Sequence, residues 1–187
     1  MANQVLRQAI RPYRGMLATL WLLALTALSP QPAAADKGLR VLAAPRSIPA
    51  FSLPGIDGAR HRLSDYLGRY VLINVWAVWC APCRKEMPSL NAAYGQLRSE
   101  RFEVLAIHAG PSLAQAKAYA RQLGLHFPIV VDADLALSAW QVRGLPHTLL
   151  LNPQGQVIAE AVGDRVWDHP KVLAQLRGLM RPDRGDH

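Results

Sequence analysis

The feature that most constrains the fold is a pair of cysteines, Cys80 and Cys83, at the junction of two apolar patterns. The run Tyr70–Trp76 is apolar except for Asn74, as in a strand buried on both faces. After the cysteines, apolar residues recur at spacings of three and four, which predicts an amphipathic helix. The run Phe102–His108 then predicts a second buried strand. The three elements form a βαβ unit, for which we expect a right-handed crossover.

The rest of the chain predicts further elements around this unit. Turn-forming residues at Pro54–Gly58 and Asn152–Gly155 separate short apolar segments and predict two β-hairpins. A helix over Ser112–Leu123, ended by Gly124, precedes a short strand. Asp168 is expected to cap the last helix. We therefore predict an α/β fold with a central mixed sheet flanked by helices.

The first 35 residues have the pattern of a secretory signal. Arg7, Arg11 and Arg14 precede the apolar run Met16–Leu28, and small residues follow up to Ala35. The apolar run is shorter than the roughly 20 residues that span a bilayer as a helix. We expect cleavage after Ala35 and a periplasmic or other extracytoplasmic location. An uncleaved N-terminal membrane anchor is the alternative.

The remaining sequence divides into three predicted parts. Residues 36–50 are expected to be a linker, because they contain two prolines and show no periodic pattern. Residues 51–180 form the predicted folded domain, and residues 181–187 are expected to be a frayed tail.

The charge of the chain gives little support to nucleic-acid binding. The formal net charge is 21 − 13 = +8. Residues 1–35 contain three Arg and no acidic residue, so the remainder carries 18 − 13 = +5. The basic residues are scattered, and no basic run is interleaved with stacking aromatic residues. We expect a mildly basic, solvated surface, no nucleic-acid partner and a monomer.

The two cysteines are expected to carry chemistry, because a loop of this length stabilises a fold very little. At the first turn of a helix, free N–H groups and the helix dipole stabilise a thiolate at Cys80, which lowers its pKa from ~8.5. Cys83, one turn on, is placed to resolve a mixed disulfide. The pair would itself be the redox group, without a further cofactor.

A zinc site is the other use of such a pair. Structural zinc needs four ligands, usually from a second Cys or His pair. The six histidines show no paired spacing. They are His61, His108, His126, His147, His169 and His187. We expect no bound metal.

Two segments resemble the thioredoxin superfamily. The stretch Trp76–Cys83, followed by Pro88, resembles the thioredoxin active-site segment, and Gly144–Pro146 resembles the cis-proline loop. More narrowly, the chain resembles the TlpA-like reductases of bacterial exported space, which include the ResA and DsbE types. An N-terminal β-hairpin, an extra αβ insertion at residues 112–131 and the phrase Leu150–Gly155 carry that likeness, which covers residues 45–180.

The resemblance implies roles for individual residues. Cys80 would be the attacking thiolate and Cys83 the resolving thiol. Pro146 would be cis, so that the backbone of Leu145 can pair with an extended substrate strand. Trp79 is expected to flank the site, partly exposed.

Glu86 occupies the position, three residues after the second cysteine, where TlpA-like reductases carry a glutamate. Thioredoxins instead carry a buried Asp six residues before the first cysteine, and that position is Asn74 here. The helical spacing places Glu86 at the edge of the buried face, one turn from Cys83. Burial would raise its pKa and suit it to accept the Cys83 proton. An exposed Glu that favours the first helical turn is the alternative.

His147 follows the expected cis-proline, where a Thr or a small residue would be usual. We weigh two interpretations equally, a contact with substrate and an ordinary surface histidine.

The resemblance implies a reductase of disulfides in exported proteins, with apocytochrome c as a candidate substrate and a membrane thiol carrier as electron donor. A disulfide oxidase or isomerase is the first alternative, because the residues between the cysteines tune the potential. A copper- or zinc-handling module is the second. A peroxiredoxin is disfavoured, because Trp76–Trp79 stands where that family places a Pro-x-x-x-Thr pattern.

Overall fold

The computed structural model describes residues 37–98, 101–135 and 139–181. The predicted signal segment and nearly all of the predicted tail lie outside these residues. Among the described residues, no helix combines the length and the apolar character needed to cross a membrane.

The described residues form eight strands, three α-helices and a short 3-10 helix over Leu63–Tyr66. In chain order the strands are β1 (Arg40–Ser47), β2 (Ser52–Pro54), β3 (Arg60–Arg62), β4 (Tyr70–Trp76), β5 (Phe102–Ala109), β6 (Ile129–Asp132), β7 (His147–Leu151) and β8 (Gln156–Val162). The helices are α1 (Ala81–Leu97), α2 (Leu113–Leu123) and α3 (Pro170–Leu179).

Six strands form one mixed sheet in the order β1–β8–β7–β4–β5–β6. Strands β4, β5 and β6 are parallel, whereas β7, β8 and β1 add in antiparallel pairs. The predicted α/β fold with a mixed sheet is confirmed. Strand β4 lies between β5 and β7, so all its backbone groups can pair, as the apolar run predicted.

The residues of β4 alternate between two cores. Leu72 and Trp76 face a cluster built with apolar side chains of all three α-helices. Ile73 and Val75 face a second cluster that includes Trp140 and side chains next to the small hairpin. Because both faces are covered, the strand is buried along almost its whole length.

The predicted N-terminal hairpin is confirmed as β2 and β3, which pair from Ser52–Arg62 to Pro54–Arg60. Its turn reaches the edge of the main sheet, where the Ile56 amide donates to the Ile129 carbonyl at 3.0 Å. The predicted αβ element is also confirmed. The side chain of Ser112 caps α2, and Gly124 ends it with φ +59°.

The predicted linker at residues 36–50 is wrong, because it contains β1. This strand pairs with β8 across an irregularity between Val41 and Arg46, and most of its side chains are exposed. Proline is tolerated on such an edge strand, as at Pro45. Backbone pairing, rather than an apolar pattern, holds β1, and backbone pairing leaves no periodic signal in the sequence.

The predicted cap of the last helix is one residue out of place. The N-cap of α3 is His169, whose Nδ1 accepts from the Lys171 amide at 3.3 Å. Asp168 precedes it. Pro170 lies in the first turn of the helix.

Candidate active site

Cys80 and Cys83 form a disulfide where β4 runs into α1. Cys80 is the N-cap of the helix, and its Sγ accepts from the Cys83 amide at 3.3 Å. Pro82 lies in the first turn, where a missing N–H leaves no bond unmade. The helix thus directs an N–H donor at the sulfur that would carry negative charge in the reduced protein.

Both cysteines are buried, but they differ in the surface that they retain. Cys83 is fully buried, whereas Cys80 retains 5% of its surface. Beside Cys80, Trp79 is 71% exposed, while Trp76 lies entirely in the core. An incoming sulfur can therefore approach Cys80 but not Cys83.

Glu86 is almost completely buried on α1, one turn after Cys83. This placement rules out the exposed-surface interpretation. Three N–H donors surround its carboxylate. Asn74 Nδ2 donates to Oε1 at 2.8 Å, and the Arg165 amide and Trp167 Nε1 donate to Oε2 at 3.1 and 3.0 Å.

Burial and these donors act in opposite directions on Glu86. Burial disfavours the charged form and dominates, so that the pKa of Glu86 rises from 4.5 to about 7. The hydrogen bonds from Asn74, Trp167 and Arg165 limit the rise, because each stabilises the anion. A carboxyl with this pKa exchanges a proton near neutral pH.

The sequence indicated Glu86 but not two of its three partners. Arg165 and Trp167 follow it by 79 and 81 residues and lie in the connection between β8 and α3. Non-periodic connections carry no pattern that predicts which helix they contact. Asn74 was noted only as the counterpart of the thioredoxin Asp, yet its side chain also donates to Thr148 Oγ1 at 2.9 Å.

The Leu145–Pro146 peptide bond is cis, as expected from the resemblance. The carbonyl of Pro146 accepts from the Gly163 amide at 2.9 Å, which joins this loop to the end of β8. Leu145 is partly buried and packs against both cores. The loop is therefore held by the sheet on one side and by the β8–α3 connection on the other.

His147 is not a surface histidine, because its side chain is fully buried. Its Nδ1 accepts from the Arg143 amide at 3.1 Å, and burial lowers its pKa. With no exposed surface it offers nothing to a substrate in this state. The predicted substrate contact at His147 thus finds no support, and the residue instead braces the loop that begins at Arg143.

His108 has a place in the site that the sequence did not indicate. At the end of β5, its Nε2 accepts from the Val78 amide at 3.3 Å, and its Nδ1 lies 3.3 Å from the Gly110 carbonyl. Both contacts fit one neutral tautomer, with the proton on Nδ1. Burial lowers the pKa of His108, which favours that neutral form. The ring therefore supports the backbone just before Trp79 and Cys80.

Among the described residues, no group of three or more His, Cys, Asp or Glu side chains is arranged to hold a metal ion. The buried carboxyl on the cysteine helix is that of Glu86.

Comparison with known proteins places this chain in a family. Residues 45–160 match the AhpC/TSA family. The thiol-disulfide oxidoreductase ResA of Bacillus subtilis (strain 168) is 37% identical over 135 residues, which cover 72% of this chain and 74% of the relative. This chain belongs to the AhpC/TSA family. Its ResA-type relatives include that of Geobacillus kaustophilus, 41% identical over 110 residues that cover 58% of this chain. The match spans 63% of the length of that relative.

Solved structures show how this AhpC/TSA family member folds. A protein of Chlorobium tepidum assigned as the thiol:disulfide interchange protein DsbE is 28% identical, with a TM-score of 0.63 over 73% of this chain and 94% of the other. A thiol-disulfide oxidoreductase from Bacteroides fragilis has the same fold, with a TM-score of 0.63, 24% identity and coverage of 72% of this chain and 100% of the other. The fold of this family member is thus thioredoxin-like.

Proposed function

We propose that this chain is an exported thiol–disulfide oxidoreductase that reduces disulfides in other exported proteins. The observation that carries the proposal is the asymmetry of the cysteine pair. Cys80, at a helix N-terminus, retains 5% of its surface, whereas Cys83 is fully buried, one turn from a buried carboxyl. A nucleophile needs access, and a resolving thiol needs a nearby base.

In the reaction, the Cys80 thiolate attacks one sulfur of a substrate disulfide, whose S–S bond breaks. A mixed disulfide forms, and the first substrate sulfur leaves as a thiolate. Cys83 then loses its proton to Glu86 and attacks Cys80 Sγ. The bond between Cys80 and the substrate breaks, and the second substrate sulfur leaves. Two electrons have passed to the substrate, and the Cys80–Cys83 disulfide has formed.

The surface around Cys80 supports a protein substrate. Trp79, next to Cys80, is largely exposed. We propose that the loop with the cis Leu145–Pro146 bond is the segment against which the substrate docks. An extended segment that pairs with the Leu145 backbone would bring its own disulfide to Cys80. We assign Trp79, Leu145 and Pro146 to substrate binding.

Export is proposed from residues 1–35, whose basic start, apolar centre and small-residue end match a secretory signal. In an oxidising compartment the enzyme needs electrons to return Cys80 and Cys83 to thiols. We propose a membrane thiol reductant as that donor and apocytochrome c as a candidate substrate, in line with the ResA and DsbE names among its relatives.

The test is to separate the two cysteines. Cys80→Ser removes the attacking sulfur and is expected to reduce insulin disulfide reduction to the uncatalysed rate. Cys83→Ser keeps the attack but removes the resolving thiol, so a mixed disulfide with the substrate should accumulate. Non-reducing electrophoresis and intact mass measure the trapped complex.

Each single variant serves as the control for the other, because both lose the internal disulfide and only Cys83→Ser retains the attacking sulfur of Cys80. Full activity of Cys80→Ser, or a trapped complex formed by Cys80→Ser instead of Cys83→Ser, would refute the assignment. Stoichiometric metal held by both thiols in protein purified under reducing conditions would favour a metal-handling module instead.

A further inference from the structure

The connection between β8 and α3 contacts both the loop that contains the cis Leu145–Pro146 bond and the proposed proton acceptor, Glu86. We call residues 163–167 the bridging segment. At its start, the Gly163 amide donates to the Pro146 carbonyl at 2.9 Å. At its end, Trp167 Nε1 donates to Glu86 Oε2 at 3.0 Å. These contacts bring the two halves of the site into one hydrogen-bonded connection.

Trp167 is held tightly in this place. Its side chain is fully buried, in the core shared with α1 and α3. Its backbone amide donates to Ser89 Oγ at 3.1 Å, and the Ser89 hydroxyl donates to the Glu86 carbonyl at 2.8 Å. Both the backbone and the indole of Trp167 are therefore fixed against the same turn of α1 that carries Glu86.

The donors are distributed unequally over the two carboxylate oxygens. Oε2 accepts two N–H groups, from Trp167 and from the Arg165 amide, whereas Oε1 accepts one N–H group from the described residues, that of Asn74. A carboxylate oxygen has two lone pairs in its plane, so Oε2 is fully occupied and Oε1 keeps one free. Both N–H groups are donors only, so neither can accept a proton.

We propose that Trp167 is a positioning residue for proton transfer from Cys83: its indole N–H occupies Glu86 Oε2 and so directs the proton to Oε1. The inference rests on the proposed role of Glu86 as proton acceptor. The step moves one proton from Cys83 Sγ to Glu86 Oε1, with no change in electron count. The resulting Cys83 thiolate is the species that attacks Cys80.

The charged groups around Glu86 are consistent with this role. The guanidinium of the largely buried Arg165 donates to the carbonyls of Val162 and Gly163, and its charge favours an ionised Glu86. Lys85, the neighbour of Glu86, pairs with Asp164 at 2.8 Å at the surface.

The experiment titrates Glu86 directly in the full chain, oxidised, by NMR of carboxyl-labelled glutamate. The wild-type carboxyl is expected to titrate near pH 7. The Trp167 indole N–H resonance, assigned by its loss in Trp167→Phe, should shift with the same midpoint. In Trp167→Phe the Glu86 midpoint should rise by about one unit, which corresponds to about 1.4 kcal/mol. Resolution of the mixed disulfide should show the same displacement in its pH profile.

Two further variants separate the hydrogen bond from the packing of the ring. Benzothienylalanine at position 167 keeps the bicyclic shape and lacks the N–H, so it should reproduce the upward shift. Trp140→Phe is the matched control, because Trp140 is also buried but lies in the core on the other face of the sheet. It should leave the Glu86 midpoint unchanged.

The inference is overturned if the benzothienylalanine protein titrates as the wild type, or if Trp140→Phe shifts Glu86 as much as Trp167→Phe. An indole resonance that does not follow the carboxyl titration would overturn it as well. The titration needs no turnover, so loss of the proposed reductase activity would be recognised separately, by an inactive wild-type protein.

Discussion

Glu86 shows how a single side chain links stability to chemistry. Folding places its carboxyl among apolar side chains and then supplies three N–H donors, and burial remains the larger effect. Folding therefore raises its pKa, and the folded protein binds a proton at Glu86 more tightly than the unfolded chain does. A group of this kind stabilises the fold fully below its unfolded pKa and loses that contribution as the pH rises through its folded pKa.

The first prediction at this scale concerns Glu86→Gln in the oxidised protein. The glutamine does not titrate, so the unfolding free energy of wild type relative to Glu86→Gln should fall between about pH 5 and pH 8. A pKa change from 4.5 to about 7 makes the fall about 3 kcal/mol at most. Urea denaturation at several pH values measures this difference in unfolding free energy. The test is how the difference changes with pH, not its absolute size.

Asp164→Asn is the matched control for this measurement. The hydrogen bond from Lys85 lowers the pKa of Asp164. The contribution of Asp164 to stability is therefore lost only as the solution becomes strongly acidic. The difference between wild type and Asp164→Asn should thus stay constant between about pH 5 and pH 8. A Glu86→Gln difference that is equally flat would show that Glu86 is not buried as an acid.

At the scale of elements, side-chain contacts at and just before the start of β1 add to its backbone pairing with β8. Gln175, on α3, accepts from the Leu39 amide at 2.8 Å and donates to the Leu39 carbonyl at 2.8 Å. Leu39 directly precedes β1, and Arg40 and Arg46 of the strand itself both pair with Glu160 on β8. The side-chain amide of Gln175 thus pairs with the Leu39 backbone as a residue of a neighbouring strand would.

We expect Gln175→Glu to loosen this strand without touching the redox site. A carboxylate cannot donate to the Leu39 carbonyl, so the unfolding free energy should fall by roughly 1–3 kcal/mol. Amide hydrogen exchange should accelerate at Leu39 and Val41. Gln154→Glu, in the exposed turn between β7 and β8, is the control and should change neither quantity. Unchanged exchange at Leu39 in Gln175→Glu would contradict this account of β1.

The contrast between β1 and β4 explains which elements the sequence could predict. Strand β4 and helix α1 bury apolar residues at regular spacing, so their positions and the cysteines between them follow from local pattern. Strand β1 and the bridging segment are held in place by hydrogen bonds of their backbone groups and by contacts of individual side chains. Their partners, such as Glu86 for Trp167, are chosen by the tertiary fold, and nothing within a short window of sequence indicates them.

At the scale of the whole molecule, the sheet brings the separate parts of the site to one end. Cys80 follows the end of β4, His108 lies at the end of the parallel neighbour β5, and Pro146 precedes the antiparallel β7. Antiparallel β7 starts where parallel β4 ends, with Val75 opposite His147. Binding at the carboxyl ends of parallel strands is general for α/β folds, so the location of the site follows once the strand order is known.

The fold also bears on the direction of electron flow. Ala81 and Pro82 add no charge or side-chain donor beside Cys80, so the helix N-terminus is left to stabilise the thiolate. A strong oxidant needs a thiolate stabilised much further, since that makes the reduced form the favoured one. We therefore expect a reducing rather than an oxidising pair.

The most direct test is the equilibrium reduction potential of Cys80 and Cys83, measured against glutathione and dithiothreitol. We expect a value below about −200 mV, in the range of reducing thiol pairs. A value near −120 mV, typical of a strong disulfide oxidant, would contradict it.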